Sequence, residues 1–262
     1  MEVVIVSDDA AVGEAAAAKI AQIATTAGPR VVLGLATGSS PVSAYQALAR
    51  RIDARALDLC QASAFALDEY VGLPAGHPQS YRSVIHRDAA TPLGLALDRV
   101  HTPNGFAADL PAAAADYEQQ IRLAGGIDVQ ILGVGSNGHI GFNEPGSSLR
   151  SRTRIKTLTE RTRRDNQRFF TNLEDVPRYC LTQGLGTIMD AKHIVLLAQG
   201  ADKAEAVAAA CEGPITTMCP GSILQFHERA TVIIDEAAAE GLRMVAYYKE
   251  TYSGKPEWQR FE

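Results

Sequence analysis

Short apolar runs alternate with longer, alanine-rich stretches along most of this 262-residue chain. The apolar runs predict buried strands, and the alanine-rich stretches, several of them preceded by Asp or Thr, predict helices. Strands are expected at residues 3–6, 31–36, 63–67, 127–133, 193–198 and 231–235. Helices are expected from residue 8 or 9 to about 26 and at 41–51, 110–123, 160–170 and 202–211. This alternation is typical of βαβ units and predicts an α/β fold with a mainly parallel sheet.

Composition limits the classes of protein that fit this pattern. Hydrophobic residues make up 46% of the chain, and no apolar run approaches the roughly 20 residues that cross a bilayer. No linker or repeat marks a domain boundary, so we expect one domain spanning residues 1–262 and no membrane segment. The first ten residues lack the regions of a signal peptide, which predicts a cytoplasmic protein. The formal charge of −5 argues against nucleic acid as a partner and favours a small anionic metabolite.

Residues 131–148, ILGVGSNGHIGFNEPGSS, hold the most informative polar cluster of the chain. An apolar run ends there in a turn that contains Asn137, His139, Asn143 and Glu144. Glycines at positions 133, 135, 138 and 141 permit tight turns and a close approach of the backbone to a ligand. Because open α/β sheets bind ligands at the carboxyl ends of their strands, we expect these side chains to line a binding crevice.

A second loop follows the strand predicted at 31–36 and precedes a helix that has proline in its first turn. Thr37, Gly38, Ser39 and Ser40 form this loop. Free amides at a helix N-terminus, the helix dipole and hydroxyl groups together suit a phosphate. The other interpretation is a helix start capped by Ser or Thr, which is common.

A third loop begins where the strand predicted at 63–67 ends in two adjacent carboxylates, Asp68 and Glu69. Successive side chains of an extended backbone point in opposite directions, so only one of the two is expected to face the crevice. The other is expected to bind backbone or a neighbouring arginine. Acidic residues also form turns at strand ends, and position alone does not separate these interpretations.

The segment 151–158 carries basic residues at the period of a strand. Arg152, Arg154 and Lys156 alternate with less polar neighbours, and four more arginines follow by residue 168. One interpretation is a solvated edge strand protected by charge, and the other is an anion-binding face.

Together, the three loops offer a phosphate cradle, a carboxylate base and a His–Glu pair. Such a set can hold a phosphorylated sugar, move a proton between carbons and open a sugar ring without a metal or an organic cofactor. No dinucleotide fingerprint, Walker A loop or metal-ligand spacing appears, and the four scattered cysteines are expected to be free thiols. The residues alone therefore predict acid–base chemistry on a small anionic substrate.

Four blocks of the sequence resemble those of the glucosamine-6-phosphate deaminase family: LATGSSP at 35–41, LDEYVGL at 67–73, GVGSNGHIGFNEPGSS at 133–148 and SRTRIKTL at 151–158. The likeness extends over nearly the whole chain. It implies conversion of glucosamine 6-phosphate and water to fructose 6-phosphate and ammonia, without a cofactor. It also implies a Rossmann-like, three-layer α/β/α sandwich with a lid segment over the site.

The resemblance implies roles for single residues of these blocks. Asp68 would move a proton from C2 to C1 of the sugar, His139 would carry the proton that opens the pyranose ring, and Glu144 would hydrogen-bond to the histidine and polarise it. Asn137 stands where some members of the family have an aspartate. Its amide oxygen can accept a hydrogen bond from an imidazole N–H, but it supplies no charge to stabilise imidazolium.

The resemblance also implies a phosphate site and, in hexameric members, a separate site for the activator N-acetylglucosamine 6-phosphate. The residues that match the phosphate site are Thr37, Gly38, Ser39, Ser40, Arg168 and Lys203. The residues that match the effector site are Ser147, Arg154, Lys156 and Thr157, with Tyr247 or Tyr248 as the aromatic neighbour. Monomeric members keep similar basic residues, so the sequence leaves both a homo-oligomer and a monomer open.

Two other interpretations stand beside the deaminase. A 6-phosphogluconolactonase would share the fold, but that family tends to carry an acidic–arginine pair where this chain has Asp68 and Glu69, and an Ala-Ser-Leu-Phe-Pro-like run at 141–145. A non-catalytic sugar-phosphate sensor would need a DNA-binding helix-turn-helix before the first strand, and would have no use for Asp68, His139 and Glu144 together. Both comparisons favour the deaminase.

Overall fold

A seven-stranded sheet runs through the protein, whose computed structural model describes residues 1–74 and 76–261. The strands of the described chain are β1 (Glu2–Val6), β2 (Val32–Leu35), β3 (Ser63–Ala66), β4 (Asp68–Tyr70), β5 (Val100–His101), β6 (Val129–Gly133), β7 (Arg154–Thr157), β8 (Tyr179–Thr182), β9 (His193–Ala198) and β10 (Ala230–Asp235). The large sheet has the order β1-β10-β9-β6-β2-β3-β5, and all of its neighbouring strands are parallel. The predicted parallel sheet is confirmed.

Helices pack on both faces of this sheet. The helices of the described chain are α1 (Asp9–Ala27), α2 (Ser39–Asp53), α3 (Tyr81–Ile85), α4 (Leu110–Leu123), α5 (Glu160–Asn166), α6 (Leu185–Met189), α7 (Ala204–Cys211) and α8 (Val245–Ser253). Leu33 and Leu35 of β2 share one core with α1 and α2, whereas Val32 belongs to a second core with α4, α6 and α7. Since alternate residues of one strand enter opposite cores, the fold is the predicted three-layer α/β/α sandwich.

The helix starts show how local sequence determines these elements. Asp8 and Asp109 each accept a hydrogen bond from the backbone N–H three residues later, at 2.9 Å, and thereby cap α1 and α4. Thr159 caps α5 in the same way at 3.2 Å. Helix α2 differs, because it begins two residues before the predicted start, and Gly38 precedes it with no side-chain cap. The interpretation of this loop as a Ser or Thr cap is therefore wrong.

A second, three-stranded antiparallel sheet of order β4-β8-β7 lies beyond the carboxyl end of β3. Only Leu67 separates β3 from β4, so the chain passes directly from one sheet into the other. Asp68 on β4 is in register with Thr182 on β8, which is in register with Arg154 on β7. Residues in register share a face of the sheet, so Asp68 and Arg154 point to the same side.

Several predicted boundaries need correction. The helix predicted at 160–170 ends at Asn166, and a 3₁₀ turn continues it to Phe169. The basic strand spans only Arg154–Thr157, and its exposed residues are Ile155, at 42%, and Thr157, whereas the basic side chains of Arg154 and Lys156 are half-buried. Helices α3, α6 and α8 were not predicted, because they are short or lack a clear apolar period.

The described residues contain neither a membrane-spanning helix nor a group of side chains placed to bind a metal ion. In residues 1–74 and 76–261, no helix combines the length and the apolar character that crossing a membrane requires. The same part of the chain holds no group of three or more His, Cys, Asp or Glu side chains placed to bind a metal ion.

Candidate active site

The candidate residues gather at the carboxyl ends of four neighbouring strands, β9, β6, β2 and β3. The chain order runs outward from β2 through β3 to β5 on one side and from β6 through β9 to β10 on the other. The order therefore reverses between β2 and β6, which is where open α/β sheets form a ligand crevice. The Gln199 side chain, after β9, donates a hydrogen bond to the Ser40 carbonyl, after β2, at 3.2 Å. The fold thus brings the predicted loops together.

Asp68 is a buried carboxylate with no donor of its own. Only 5% of the residue is exposed, and within the described chain no group donates a hydrogen bond to it. Burial raises the pKa of Asp68 well above its usual value, and the neighbouring carboxylate of Glu69 raises it further. An unsolvated carboxylate with a raised pKa is a stronger base than one in water, as a general base requires.

Glu69 points the opposite way and has a different function. Its carboxylate accepts hydrogen bonds from the backbone N–H groups of Tyr70 at 2.8 Å and of Tyr81 and Arg82 at 2.9 Å each. The expectation that one carboxylate of the pair binds backbone is confirmed for Glu69. Glu69 fixes the first turn of α3 to β4, and so places Tyr81 beside Asp68.

Two glycines of the loop after β6 are required by its geometry. A Cβ atom on Gly135 would lie 2.1 Å from Cε1 of the His139 ring, so this glycine makes room for the imidazole. Gly138 has a φ of +81°, and a Cβ there would lie 2.6 Å from the Cys219 sulfur. The Gly138 carbonyl also accepts a hydrogen bond from Gly221 N–H at 2.8 Å.

His139 reaches Glu144 through Asn137. The His139 Nδ1 atom lies 2.6 Å from Asn137 Oδ1, and the Asn137 amide donates to Glu144 Oε2 at 2.7 Å. Nδ1 and Oε2 are 3.8 Å apart, so the direct hydrogen bond expected from the resemblance is absent in this pair. The physical reason is that both groups are directed at the Asn137 side chain, whose oxygen contacts the imidazole and whose amide nitrogen contacts the carboxylate.

This arrangement determines the tautomer of His139. The Asn137 –NH₂ group must face Glu144, because a carboxylate accepts hydrogen bonds but cannot donate them. The Asn137 oxygen therefore faces the imidazole, and Nδ1 carries the proton. We assign the neutral Nδ1–H form on this basis, which leaves Nε2 free to accept a proton.

The electrostatic environment of His139 favours this neutral form. Burial lowers the pKa of the imidazole, and Lys203 and Arg161 lower it further. The charges of Glu144 and Asp165 act in the opposite direction and raise it. The resulting pKa is below the usual value, so His139 is unprotonated at neutral pH.

The second oxygen of Glu144 contacts helix α5. The Thr162 hydroxyl donates a hydrogen bond to Glu144 Oε1, and Thr162 is itself buried. From the same turn of α5, Arg161 donates to the Ser136 hydroxyl at 3.2 Å. The structure therefore adds Thr162 to the site. No local pattern marks this contact, because Thr162 is 18 residues from Glu144 along the chain.

The predicted phosphate residues do not all lie together. Thr37, Gly38, Ser39 and Ser40 lead into the first turn of α2, where the backbone amides have no intrahelical acceptor. The Lys203 side chain is 23% exposed, and its charge is close enough to His139 to lower the pKa of the imidazole. Arg168 is exposed and packs over the ring of Phe169 at 4.8 Å, and within the described residues it makes no hydrogen bond or ion pair to the others.

Tyr81 is a further polar group of the crevice that sequence analysis missed. Its hydroxyl donates a hydrogen bond to that of Tyr70 at 3.3 Å, and the Thr37 side chain acts to lower the pKa of Tyr81. Burial raises its pKa well above the usual value, and Tyr70 and Asp68 contribute to the increase, so the phenol is neutral. Tyr81 thus stands between the carboxylate base and the α2 N-terminus. No sequence pattern marks it, because α3 is held there by Glu69.

The four candidate effector residues occupy two places. Arg154 and Lys156 lie on the same face of the small sheet as Asp68, and burial lowers the pKa of Arg154. Thr157 alternates to the opposite face and is exposed. The Ser147 hydroxyl, in the loop after β6, is buried without a hydrogen-bond partner among the described residues. The half-buried basic face does not fit a strand protected only by solvated charge.

The fold and the crevice together define a class of protein. A parallel α/β sandwich brings a neutral histidine, a buried carboxylate and a helix N-terminus together where the strand order reverses. These are the catalytic and binding groups of an acid–base enzyme that acts on a small anionic substrate. The chain belongs to the family described as glucosamine-6-phosphate isomerases/6-phosphogluconolactonase, because the model of that family matches residues 7–233.

Individual glucosamine-6-phosphate deaminases are similar to this chain over nearly its whole length. A glucosamine-6-phosphate deaminase from Arthrobacter sp. (strain FB24) is 57% identical over 259 residues, or 99% of each chain. One from Streptomyces coelicolor is 54% identical over 260 residues, again 99% of each. A solved monomeric glucosamine-6-phosphate deaminase is 40% identical, covers 92% of this chain and 100% of its own, and superposes with a TM-score of 0.88. The family expected from the four sequence blocks is confirmed.

Solved 6-phosphogluconolactonases share the fold at lower identity. The enzyme from Trypanosoma cruzi is 20% identical, covers 92% of this chain and 97% of its own, and has a TM-score of 0.71. At this identity the likeness concerns the fold alone.

Proposed function

We propose that this protein converts glucosamine 6-phosphate and water into fructose 6-phosphate and ammonia. The observation that carries the proposal is the pairing of two different bases in one crevice: a buried carboxylate without donors at Asp68, and a neutral imidazole with a free Nε2 at His139. An aldose-to-ketose conversion of a cyclic sugar needs both, one to open the ring and one to move a carbon-bound proton.

Substrate binding begins with the phosphate. The first-turn amides and hydroxyls of Thr37 to Ser40 receive it at the positive end of the α2 dipole, and Lys203 adds a point charge. We assign the lid to α5 and the 3₁₀ turn that follows it, and closure of this segment over the site would bring Arg168 to the phosphate. The neutral Tyr81 hydroxyl lies between the two ends of the sugar, where it can donate to a sugar hydroxyl.

Ring opening uses His139. Its free Nε2 takes the proton of the O1 hydroxyl and returns it to the ring oxygen, so the C1–O5 bond breaks and an aldehyde forms. Imidazolium exists only between these two transfers. Glu144, 3.8 Å from Nδ1, supplies the charge that Asn137 cannot, while Asn137 holds the ring orientation.

Isomerisation uses Asp68. The carboxylate removes the C2 proton, the electron pair forms the C1–C2 double bond, and the carbonyl oxygen takes a proton from the substrate's own C2 ammonium group, which gives an enol that carries a neutral amine at C2. The carboxylic acid then returns the proton to C1, which leaves an iminium at C2. Water adds there and ammonia leaves, giving the ketose. The raised pKa of Asp68 suits a group that must both take and return a proton.

Ammonia release tests this proposal directly. The purified protein should release ammonia from glucosamine 6-phosphate and should not hydrolyse 6-phosphogluconolactone at a comparable rate. Lactone hydrolysis without ammonia release would instead support the other activity named in the family description.

Regulation, assembly and location are proposals of the same kind. Ser147, Arg154, Lys156 and Thr157 are proposed to bind N-acetylglucosamine 6-phosphate as an effector, for which Arg154 and Lys156 supply a half-buried basic face. A homo-oligomer would place that face at a subunit contact, whereas the similar solved structure is described as monomeric. Mass in solution, and substrate saturation with and without the acetylated sugar, test both points.

The cysteines are all free, which suits the proposed cytoplasmic location.

A further inference from the structure

The first turn of α5 is joined to the candidate catalytic carboxylate by two hydroxyl groups. Thr159, the N-cap of α5, lies 2.9 Å from Thr162, oxygen to oxygen, and also accepts the Thr162 backbone N–H at 3.2 Å. Thr162 in turn contacts Glu144 Oε1. Both Thr162 and Glu144 are only 8% exposed, so water does not readily replace this contact.

The direction of each hydrogen bond in this group follows from Glu144. An ionised carboxylate only accepts, so the Thr162 hydroxyl must donate to it. The Thr162 oxygen then accepts the proton of Thr159. On the other side, Asn137 donates to Glu144 and accepts from His139 Nδ1. One ordered chain of hydrogen bonds therefore runs from the N-terminus of α5 to the imidazole.

We propose that Thr162 is a positioning residue for His139, acting through Glu144, and that the folded first turn of α5 thereby fixes the orientation of Glu144 and partly neutralises its charge. The inference rests on the proposed function, because it concerns the ring-opening step. Two donors serve the buried carboxylate, Thr162 on one oxygen and Asn137 on the other. Removing one donor leaves its negative charge less neutralised and its orientation less fixed.

A purely structural role for Thr162 makes a different prediction. Thr162 could serve only the cap of α5, in which case its hydroxyl would matter to the helix and not to His139. Thr162→Val separates the two, because valine keeps the shape and the backbone N–H that Thr159 caps, while it removes the hydroxyl. Thr162→Ser keeps the hydroxyl and removes only the methyl group.

A matched control loosens α5 without touching the hydrogen-bond chain. Arg163 donates to the Val176 carbonyl at 3.2 Å and to the Leu173 carbonyl at 2.6 Å, and so attaches the helix to the following turn. Arg163→Met removes these contacts and leaves Thr162 and Glu144 unchanged. The charges that act on His139 from other elements, Lys203 from the β9 side and Arg161 and Asp165 from α5, are the same in every variant.

The test combines steady-state kinetics on glucosamine 6-phosphate with a ¹H–¹⁵N NMR titration of His139, assigned by its absence in His139→Gln. We expect Thr162→Val to lower kcat by about 10-fold, with KM little changed, because Glu144, and through Asn137 the imidazole, is less firmly held in the orientation that ring opening requires. The titration midpoint of His139 should move to higher pH, since a less neutralised Glu144 stabilises imidazolium. Thr162→Ser should restore both, and Arg163→Met should leave the midpoint in place.

An unmoved midpoint in an active Thr162→Val variant, or the same movement in Arg163→Met, would overturn the inference and leave the proposed function intact. Wild-type protein that releases no ammonia would overturn both. If Thr162→Val folds poorly, Thr162→Ala serves in the same titration, because the hydroxyl is again the group removed and the expected direction is the same.

Discussion

The charge of Glu144 gives the most direct test of the hydrogen-bond chain, and Glu144→Gln removes that charge with little change in shape. The glutamine oxygen can still accept from Asn137, as Glu144 Oε2 does at 2.7 Å. Its –NH₂ group can donate to Thr162, whose hydroxyl then turns to Thr159, since either oxygen of that pair can be the donor. The variant therefore keeps the orientation of His139 and loses only the electrostatic support.

The magnitude follows from one distance. Unit charges 3.8 Å apart, as His139 Nδ1 and Glu144 Oε2 are, interact by about 4 kcal/mol at an effective dielectric constant of about 20. The imidazole carries only part of a charge in the ring-opening transition state, and 27% of its side chain is exposed. We therefore expect about half of this value, or about 2 kcal/mol, which corresponds to a kcat lower by about 30-fold.

Two measurements separate this effect from general damage. Because Glu144 raises the pKa of His139, Glu144→Gln should move the His139 titration to lower pH, opposite to the direction expected for Thr162→Val. Solvent exchange of the C1 proton of fructose 6-phosphate in the presence of ammonia, followed by deuterium NMR, should be reduced much less than kcat, because it depends on Asp68. An unchanged kcat, a titration that moves upward, or equal loss of turnover and exchange would each refute the reasoning.

The remaining predictions concern other parts of the site. Asp68→Asn should lower kcat by about 10²- to 10⁴-fold and abolish C1 exchange while substrate still binds, and near-normal turnover would require another base. Lys203→Ala and Arg168→Ala should both raise KM, the first more strongly because Lys203 already lies in the crevice, and equal affinity for glucosamine and its 6-phosphate would exclude this phosphate site. Gly138→Ala should lower the free energy of unfolding in urea by about 1–3 kcal/mol and reduce activity, because its φ is +81° and its Cβ would meet a sulfur. Gly28→Ala, with a φ of +89° and open space around it, is the matched control that should lose stability without activity.

The sequence predicted every strand of the large sheet except β5, and the starts of α1 and α4, because those features depend on local pattern. Apolar runs of strand length and Asp residues before alanine-rich segments are visible without tertiary information, as the caps by Asp8 and Asp109 confirm. The small sheet could not be predicted in the same way. Strand β4 is three residues long, and its pairing with β8 joins positions more than a hundred residues apart.

Sequence pattern likewise does not predict the side-chain contacts of the site that depend on tertiary structure. Spacing places Asn137, His139 and Glu144 in one loop, but it does not reveal that Asn137 hydrogen-bonds to both of the others and so links them. Thr162 and Tyr81 enter the site only because α5 and α3 fold over it, and each is held there by a buried glutamate, Glu144 or Glu69. Such contacts depend on tertiary structure and leave no local pattern.

Asp68 belongs to the small sheet, whereas the α2 N-terminus and the His139 loop extend from the large one. A substrate that contacts all three therefore acts as a cross-link between the two sheets. The covalent link beside it is a single residue, Leu67. Substrate binding therefore also stabilises the contact between the two sheets, because the substrate binds only when both sheets hold their native positions. Amides of β8 and β7, which need not touch the sugar, should exchange with deuterated solvent more slowly in the complex than in the free protein.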